Sequence, residues 1–483
     1  MGWTTRELGL SGPDVAVAGL AVDDRRVRTG DLFAALPGST VHGARFAPRA
    51  VEMGAAAVLT DPAGASILSL AVPVIVVEDP RAALAHAAAI VAGAQPDTMV
   101  AVTGTNGKTS VASFTRQIWE ALGHRAANIG TTGVEGGYSA PSIHTTPEPI
   151  TLHRLLADMA GAGVTHAAME ASSHGLDQRR LEAVRLAAAG WTNLTQDHLD
   201  YHGDMAAYGR AKEGLFERIL PPDGVAVICL DDPAGREVAG RCAARGQEVI
   251  GVGRAADARL RIAGNRFDAT GQDVLLAWQG RTVGVRLDLI SDFQAVNAAM
   301  AAGLAIGSGE DPAAVLGVLS RLAGVRGRMQ HAARRDNGAS VFVDYAHTPD
   351  AVRTALAALR PHVMGRIVAV VGAGGDRDRG KRPLMGRAAA DGAEVVIVTD
   401  DNPRTEDPAA IRAAVRAGAP DALEVGDRAE AILHAIALAG AGDAVLVMGK
   451  GHETGQVVGD MVLPFDDVEQ ASIAVAALEG RAA

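Results

Sequence analysis

At 483 residues the chain is too long for one ordinary hydrophobic core, so roughly two to four domains are expected. Apolar residues at 48% and charged residues at 21% are a globular composition, whereas 3% aromatics and a net charge of −11 argue against a nucleic-acid or anionic-membrane partner. The two cysteines, Cys229 and Cys242, cannot staple a chain of this size and lack zinc-site spacing, which fits a reducing, cytoplasmic setting.

The N-terminal residues show no basic-then-apolar leader pattern, and no run reaches the roughly eighteen uncharged apolar residues of a membrane helix. Residues 1–97 carry short strands and helices but no phosphate loop. A strand is expected around residues 32–36, a helix over 46–54, a strand at 57–59 and packed alanine-rich helix over 82–94. Residues 94–97, Ala-Gln-Pro-Asp, form a linker, since proline discourages its predecessor from continuing a helix.

The organising stretch follows at residues 99–110, Met-Val-Ala-Val-Thr-Gly-Thr-Asn-Gly-Lys-Thr-Ser. An apolar strand meets a glycine turn, and Lys-Thr opens a helix predicted over 111–122. Glycines let successive N–H groups face an anion, and the helix start adds a positive dipole end. Lys108 supplies charge and Thr109 a hydroxyl for Mg²⁺. Val102 stands where the first glycine of the longer phosphate-loop pattern would be, so this loop is short. ATP or GTP binding is expected.

Strands and helices then alternate to about residue 325, the pattern of a mostly parallel sheet covered on both faces. A helix is expected over 150–162, a strand at 166–169 ending in Glu170, a strand at 187–194 and a helix over 205–220. Glu170, His198 and the polar loop 193–204 lie just past strand ends, where open α/β sheets bind ligands. Alone, a strand-terminal Glu170 is more often a solvated or capping residue, and Lys212 would be a surface lysine. From 326 to 483 the alternation repeats as a second Rossmann-like unit. Its strands are expected at 340–343, 367–371, 394–399 and 444–448, and its helices at 351–359, 383–390, 409–417 and 429–439. Loops dense in glycine and charge follow two of the strands, at 372–377 and 449–453.

Four motifs occur together and in order: Gly-Thr-Asn-Gly-Lys-Thr at 104–109, Met-Glu-Ala-Ser-Ser-His-Gly at 169–175, Thr-Asn-Leu-Thr-Gln-Asp-His-Leu-Asp-Tyr-His at 192–202 and Asp-Tyr-Ala-His-Thr-Pro at 344–349. In combination they resemble the Mur ligases over essentially the whole chain. The resemblance implies an α/β protein of three domains: 1–97 for the UDP end of a UDP-N-acetylmuramoyl-peptide, 98–325 as a P-loop ATPase-type parallel sheet, and 326–483 as a Rossmann-like amino-acid domain. Within the family it points to the members that add meso-diaminopimelate to the D-glutamyl γ-carboxylate, acting as monomers.

By the same resemblance, Gly104, Thr105, Asn106, Gly107, Lys108, Thr109 and Ser110, with Asn297, Arg328 and Asp344, bind ATP. Thr109, Glu170, His198 and Lys212 bind Mg²⁺, with Lys212 carbamylated, and Lys108, Glu170, His198 and Lys212 form the catalytic set. Asp24, Ser39, Thr40, Val41, Thr145, Thr146, Ser172, Gln178 and Arg180 bind the UDP-substrate. Four positions depart from the family pattern: Asp24 for serine, His144 for asparagine, Ser291 for glycine and Gln294 for asparagine.

Diaminopimelate is assigned to Arg377, Asp401, Asn402, Pro403, Arg404, Gly449 and Glu453. Here chemistry gives an independent reason. Diaminopimelate is lysine with a second carboxylate at its far carbon, which the planar fork of Arg404 suits, while Glu453 accepts from the adjacent ammonium. Lysine would leave a buried Arg404 unpaired, at about 3–5 kcal/mol. Folylpolyglutamate synthase, a lysine-adding ligase and a non-catalytic precursor-binding module remain as alternatives.

Overall fold

The computed structural model describes residues 2–38, 40–141 and 144–481, which fall into two compact units: Met1–Arg261 with Ala299–Val315, and Ile262–Ala298 with Leu316–Ala483.

The first unit opens with a parallel sheet of Gly19–Ala21, Asp31–Ala34, Ala57–Thr60 and Val74–Val76, in sequence order. The helix Pro80–Ala92 covers it and packs on the helix Pro149–Gly161. The second sheet of this unit runs Glu248–Gly253, Val225–Cys229, Ala188–Trp191, Thr98–Thr103, His166–Glu170, Ala126–Gly130 and Gly133–Gly136. All pairings are parallel except the last. The phosphate-loop strand is central, and the chain departs from it to both sides, which opens a crevice at the strands' C-terminal ends. Its residues alternate between two buried faces: Met99 and Ala101 join a core with Trp191, Phe216 and Leu156, while Val102 lies under Gly190 on the opposite side. Such double burial is why the run reads as continuously apolar. Cys229 and Cys242 are buried free thiols, and burial pushes Cys229 up to about 11.

The second unit holds a sheet ordered Gln330–Arg334, Ser340–Asp344, Ala444–Met448, Ile367–Val371, Val395–Val398 and Leu423–Glu424, parallel beyond its first, antiparallel strand. Along the strand Ile367–Val371, Ile367, Ala369 and Val371 face one core and Val368 and Val370 the other. Helices Pro349–Leu359 and Lys381–Gly392 cover the first face and Arg428–Leu438 and Asp467–Leu478 the second.

Two segments differ from the sequence expectation. Simple alternation over 98–325 gives way to the strands Leu260–Asp268, Gly271–Trp278 and Arg281–Leu287, the last two an antiparallel hairpin. Turns at Ala269-Thr270 and Gln279-Gly280 separate these strands too closely for helical crossovers. The helix expected over 205–220 is α-helical only over Met205–Gly214 and continues as a π-turn, Leu215–Ile219. Among the described residues no helix is long and apolar enough to cross a membrane.

Candidate active site

In the first unit, the loop after Thr103 is shaped by Gly104 at φ +144° and Gly107 at φ +90°. A Cβ on Gly104 would come within 1.9 Å of the Thr192 hydroxyl, so glycine is required by close approach as well as by backbone angle. Thr192 Oγ1 donates to Asn106 O at 2.6 Å, and Asn193 Oδ1 accepts from Asn106 N at 3.0 Å. The loop is therefore braced by the segment following the next strand, Ala188–Trp191.

Lys108 and Lys212, remote in sequence, both donate to Gly104 O, at 2.8 and 2.7 Å. Lys212 is 1% exposed and its ammonium lies 4.4 Å from the Tyr208 ring centre. Burial, reinforced by the Lys108 charge, pushes the Lys212 amine well below its ordinary value, although Asp197 opposes this. Burial also pushes Tyr208 up to about 12. Sequence reasoning treats Lys212 on its own as a surface lysine; the fold buries it beside a second cation.

Glu170 ends its strand at 1% exposure and is hydrogen-bonded on both oxygens. Thr109 Oγ1 donates to Oε2 at 3.1 Å, Thr131 N to Oε1 at 2.7 Å, and Thr131 Oγ1 to Oε2 at 3.3 Å. A buried carboxylate beside a threonine hydroxyl at a phosphate loop offers the hard oxygen donors Mg²⁺ prefers, so these residues fit that ion. His198 has left-handed backbone (φ +51°) and sits 3.4 Å from Asp197 with its ring half exposed. It forms an aromatic group with His174 and Tyr208.

The expected UDP-substrate residues separate into two sets. Thr145, Thr146, Ser172, Gln178 and Arg180 form one network reaching Glu170. Thr145 Oγ1 meets Thr131 Oγ1 at 3.0 Å, Thr146 Oγ1 donates to Glu170 O at 2.9 Å, and Ser172 N donates to Thr146 Oγ1 at 3.0 Å. Arg180 donates to Thr146 O at 2.7 Å and Gln178 Oε1 at 2.8 Å. Asp24, Thr40 and Val41 belong to the N-terminal sheet's loops: Asp24 pairs with Arg49 at 3.4 Å, and Thr40 and Val41 are exposed. Ser39 lies outside the described residues. Two groups missed from sequence join this region. Arg81 donates to Pro37 O, and its charge adds to burial in holding Arg180 below its ordinary value. Tyr201 OH donates to Asp177 and accepts from Gln178 Nε2. Arg81 does not stand out in sequence and Tyr201 does so only as part of the 192–202 motif; each takes its partners from residues distant along the chain.

In the second unit, the strand ends gather the expected amino-acid residues. Asn402 Nδ2 donates to Glu453 Oε2 at 2.8 Å. Gly449 has φ +120°, and a Cβ there would strike the Asp401 carboxylate at 2.5 Å. Arg404, also left-handed at φ +52°, donates through Nη1 to Gly375 O at 2.8 Å. Pro403 packs its carbonyl against Gly375, and exposed Arg377 lies beside Gly374. The group linking them is Lys450, fully buried, with Nζ 2.9 Å from Asn402 Oδ1, 3.3 Å from Glu453 Oε2 and 3.8 Å from Asp401 Oδ1. Sequence reasoning passed over Lys450 within its glycine-rich loop; a lysine between two glycines reads as solvent-facing.

The expected nucleotide residues of this unit also cluster. Asn297 Nδ2 donates to Gln294 Oε1 at 3.0 Å, and Gln294 Nε2 donates to Arg328 O at 3.4 Å. Met329 N and Ala346 N donate to Asp344 at 2.7 and 2.9 Å, and burial raises the Asp344 carboxyl against the opposing Arg328 charge. The Arg328 guanidinium stacks 4.8 Å from the Tyr345 ring centre. Ser291, where the family pattern has glycine, keeps φ at +91°. His362 Nε2 accepts from its N–H at 3.0 Å, and its carbonyl accepts from Gln272 at 2.7 Å. The turn thus keeps left-handed geometry without glycine, and Gln294 serves as the partner of Asn297.

Comparison with known proteins matches three family models along the chain: "Mur ligase family, catalytic domain" over 16–91, "Mur ligase middle domain" over 102–305 and "Mur ligase, glutamate ligase domain" over 327–451. The UDP-N-acetylmuramoyl-L-alanyl-D-glutamate–2,6-diaminopimelate ligase of Bradyrhizobium diazoefficiens is 52% identical, covering 95% of either chain. Its counterpart in Caulobacter vibrioides is 50% identical, covering 97% of this chain and 96% of its own. A solved structure of a ligase of that name, 35% identical, superposes with a TM-score of 0.73 over 99% of this chain and 100% of its own.

Proposed function

The chain belongs to the Mur ligase family, and from that premise we propose that it joins meso-2,6-diaminopimelate to the D-glutamyl γ-carboxylate of UDP-N-acetylmuramoyl-L-Ala-D-Glu at the expense of ATP, in peptidoglycan precursor synthesis. The observation carrying the reading is the convergence of Lys108, Thr109, Glu170 and a deeply buried Lys212 on one loop. The division of labour follows the three stretches 1–97, 98–325 and 326–483, for the UDP end, ATP and the amino acid.

An oxygen of the γ-carboxylate attacks the γ-phosphorus in line, the bond to the β,γ-bridging oxygen breaks, and ADP leaves an acyl phosphate. The free amine of diaminopimelate then adds to the acyl carbon, and the tetrahedral intermediate expels phosphate as the amine loses its proton. Lys108 neutralises phosphate charge, and the loop amides and Gly107 bring the backbone against the phosphates. Arg180, anchored on Thr146 and Gln178, orients the substrate peptide. Thr109, Glu170, His198 and Lys212 would hold Mg²⁺, which when bound supplies charge neutralisation on the phosphates.

Lys212 serves as a carbamate in this reading. Its burial beside Lys108 favours the neutral amine, whose nitrogen adds to the carbon of CO₂ with loss of a proton. The product is an anionic oxygen donor at the phosphate loop, and it removes the like-charge repulsion between two lysines. Arg404 receives the distal carboxylate of diaminopimelate and Glu453 its ammonium, with Asp401, Asn402, Gly449 and Arg377 completing the pocket. Asn297, Arg328 and Asp344 bind the nucleotide in this reading. The reading includes a monomeric cytoplasmic enzyme handling neither nucleic acid nor membrane; a net charge of −11 and two free thiols support it.

Phosphate release with ATP, Mg²⁺ and UDP-N-acetylmuramoyl-L-Ala-D-Glu tests it, with meso-diaminopimelate, L-lysine and L-glutamate compared as acceptors. Release with diaminopimelate alone is expected. Release with lysine would overturn the Arg404 pocket, and silence with all three would overturn the ligase.

A further inference from the structure

Outside these sites, three side chains of the first unit converge that the ligase reaction does not use. His124 stands between the helix Lys108–Ala121 and the strand Ala126–Gly130, His166 opens the strand His166–Glu170, and Glu310 follows the helix Asp292–Gly307. Their ligand atoms all lie within 4.8 Å of one another. His124 Nε2 is 2.8 Å and His166 Nε2 3.7 Å from the same oxygen, Glu310 Oε1, and the imidazole centres are 4.0 Å apart.

The cluster is separate from the phosphate loop. His166 pairs with Thr98 at the start of the parallel strands, whereas Glu170 pairs with Val102 near their C-terminal ends. Four residues of strand place the two ends about 13 Å apart.

An ordinary ion pair accounts for His124 and Glu310 but not for His166. Its Nδ1 lies 2.8 Å from Thr165 Oγ1, and that hydroxyl donates to Arg125 O at 3.4 Å. The threonine oxygen therefore accepts from Nδ1–H, which leaves Nε2 as a lone pair turned towards a carboxylate oxygen beyond hydrogen-bond distance. Two facing lone pairs repel; a cation between them removes the conflict. A hydrogen bond on the far ring nitrogen is also how a metal-binding imidazole is held in its ligating tautomer.

We infer that His124, His166 and Glu310 form a binding site for a first-row transition dication of the zinc class, distinct from the Mg²⁺ site. Two imidazoles and one carboxylate suit zinc rather than magnesium, which prefers oxygen donors. Zinc bonds of about 2.0–2.2 Å put tetrahedral donors about 3.3–3.6 Å apart, and the observed 2.8 and 3.7 Å bracket that spacing. The side chains are part-exposed, at 33%, 13% and 19%, leaving solvent to complete the coordination. The ion ties a helix end, a strand start and the loop after residue 307 together, so its role is a staple.

The test uses full-length protein stripped by chelator, titrated with Co²⁺ and Zn²⁺ in excess Mg²⁺ so that the oxygen site is filled. Wild type should bind one equivalent, with the visible absorption of low-coordinate cobalt that zinc then bleaches, and should melt at higher temperature with zinc. His124→Gln and Glu310→Gln should lose at least about 100-fold in affinity and the cobalt spectrum, while retaining acceptor-dependent phosphate release. His166→Gln is the third arm. Wild type taking up no equivalent, or the folded variants binding as wild type does, would overturn the site without touching the ligase reading.

Discussion

Replacing Lys450 by methionine tests whether a fully buried ammonium organises the amino-acid pocket. The substitution keeps the side chain's length and removes its charge. It deletes the 2.9 Å bond to Asn402 Oδ1 and strands Asp401 and Glu453 as carboxylates facing a methyl group. Breaking a buried pair from one side costs about 3–5 kcal/mol. Glu453 is 34% exposed and can rehydrate, whereas the Asp401 side chain is 8% exposed and cannot, so the low end, about 3 kcal/mol, is expected. For a unit of this size that lowers the melting temperature by about 6–12 °C. Asn402 loses one of its Oδ1 partners but keeps the Val457 N–H, so its bond to Glu453 should loosen, and KM for diaminopimelate should rise while KM for ATP stays near wild type. Thermal and urea unfolding give the first quantity and phosphate-release kinetics the second. Adding Asp401→Asn to the Lys450→Met background should restore part of the lost stability, since the charge that cannot rehydrate is gone. A loss below about 1 kcal/mol with unaltered diaminopimelate kinetics would refute the reasoning.

Lys212→Met should abolish turnover yet raise stability at neutral pH, because it removes a buried amine that burial and Lys108 force away from its protonated form. In wild type without CO₂, the folded state binds fewer protons than the unfolded state between the lowered Lys212 value and 10.5. Stability should therefore climb with pH across that window, and the climb should be missing in the variant. Short carboxylic acids should partly rescue Lys212→Ala, and wild-type activity in either variant would defeat the carbamate assignment. Arg404→Ala should raise KM for diaminopimelate by about 10- to 100-fold, the worth of roughly 1.5–3 kcal/mol for a charge-assisted contact, with ATP binding intact; unchanged kinetics would remove Arg404 from the pocket. Burial, with Arg328, Arg326 and His347 adding to it, holds His452 down at about 4. Its contribution is complete above 6.5 and is lost as pH falls towards 4, up to about 3 kcal/mol. His452→Gln should flatten that limb in urea-unfolding series against pH, and an unchanged limb would assign the acid sensitivity elsewhere.

Local pattern and chemistry determined much of this protein without coordinates. The doubly buried strands Thr98–Thr103, Ile367–Val371 and Ala444–Met448 announce themselves as apolar runs because both faces must leave water. The phosphate loop is legible because Gly104 and Gly107 take backbone angles that other residues resist, and because Lys108 and Thr109 follow them directly. That a guanidinium such as Arg404 and a carboxylate such as Glu453 would suit diaminopimelate could be argued from the shape of that molecule alone. Tertiary structure decided what depends on distance. Lys212 is buried beside Lys108 only because the helix Met205–Gly214 delivers it to Gly104 O, 108 residues away in the chain. Lys450 changes from a solvent-facing residue to the pocket's buried counter-ion because Asp401, Asn402 and Glu453 close over it. Ser291 keeps a glycine's angle because His362 and Gln272 hold its backbone. Arg81, His124, His166 and Glu310 carry no local signal at all. A side chain's protonation, burial and partners are set by neighbours that the order of residues does not place beside it, and folding alone supplies them.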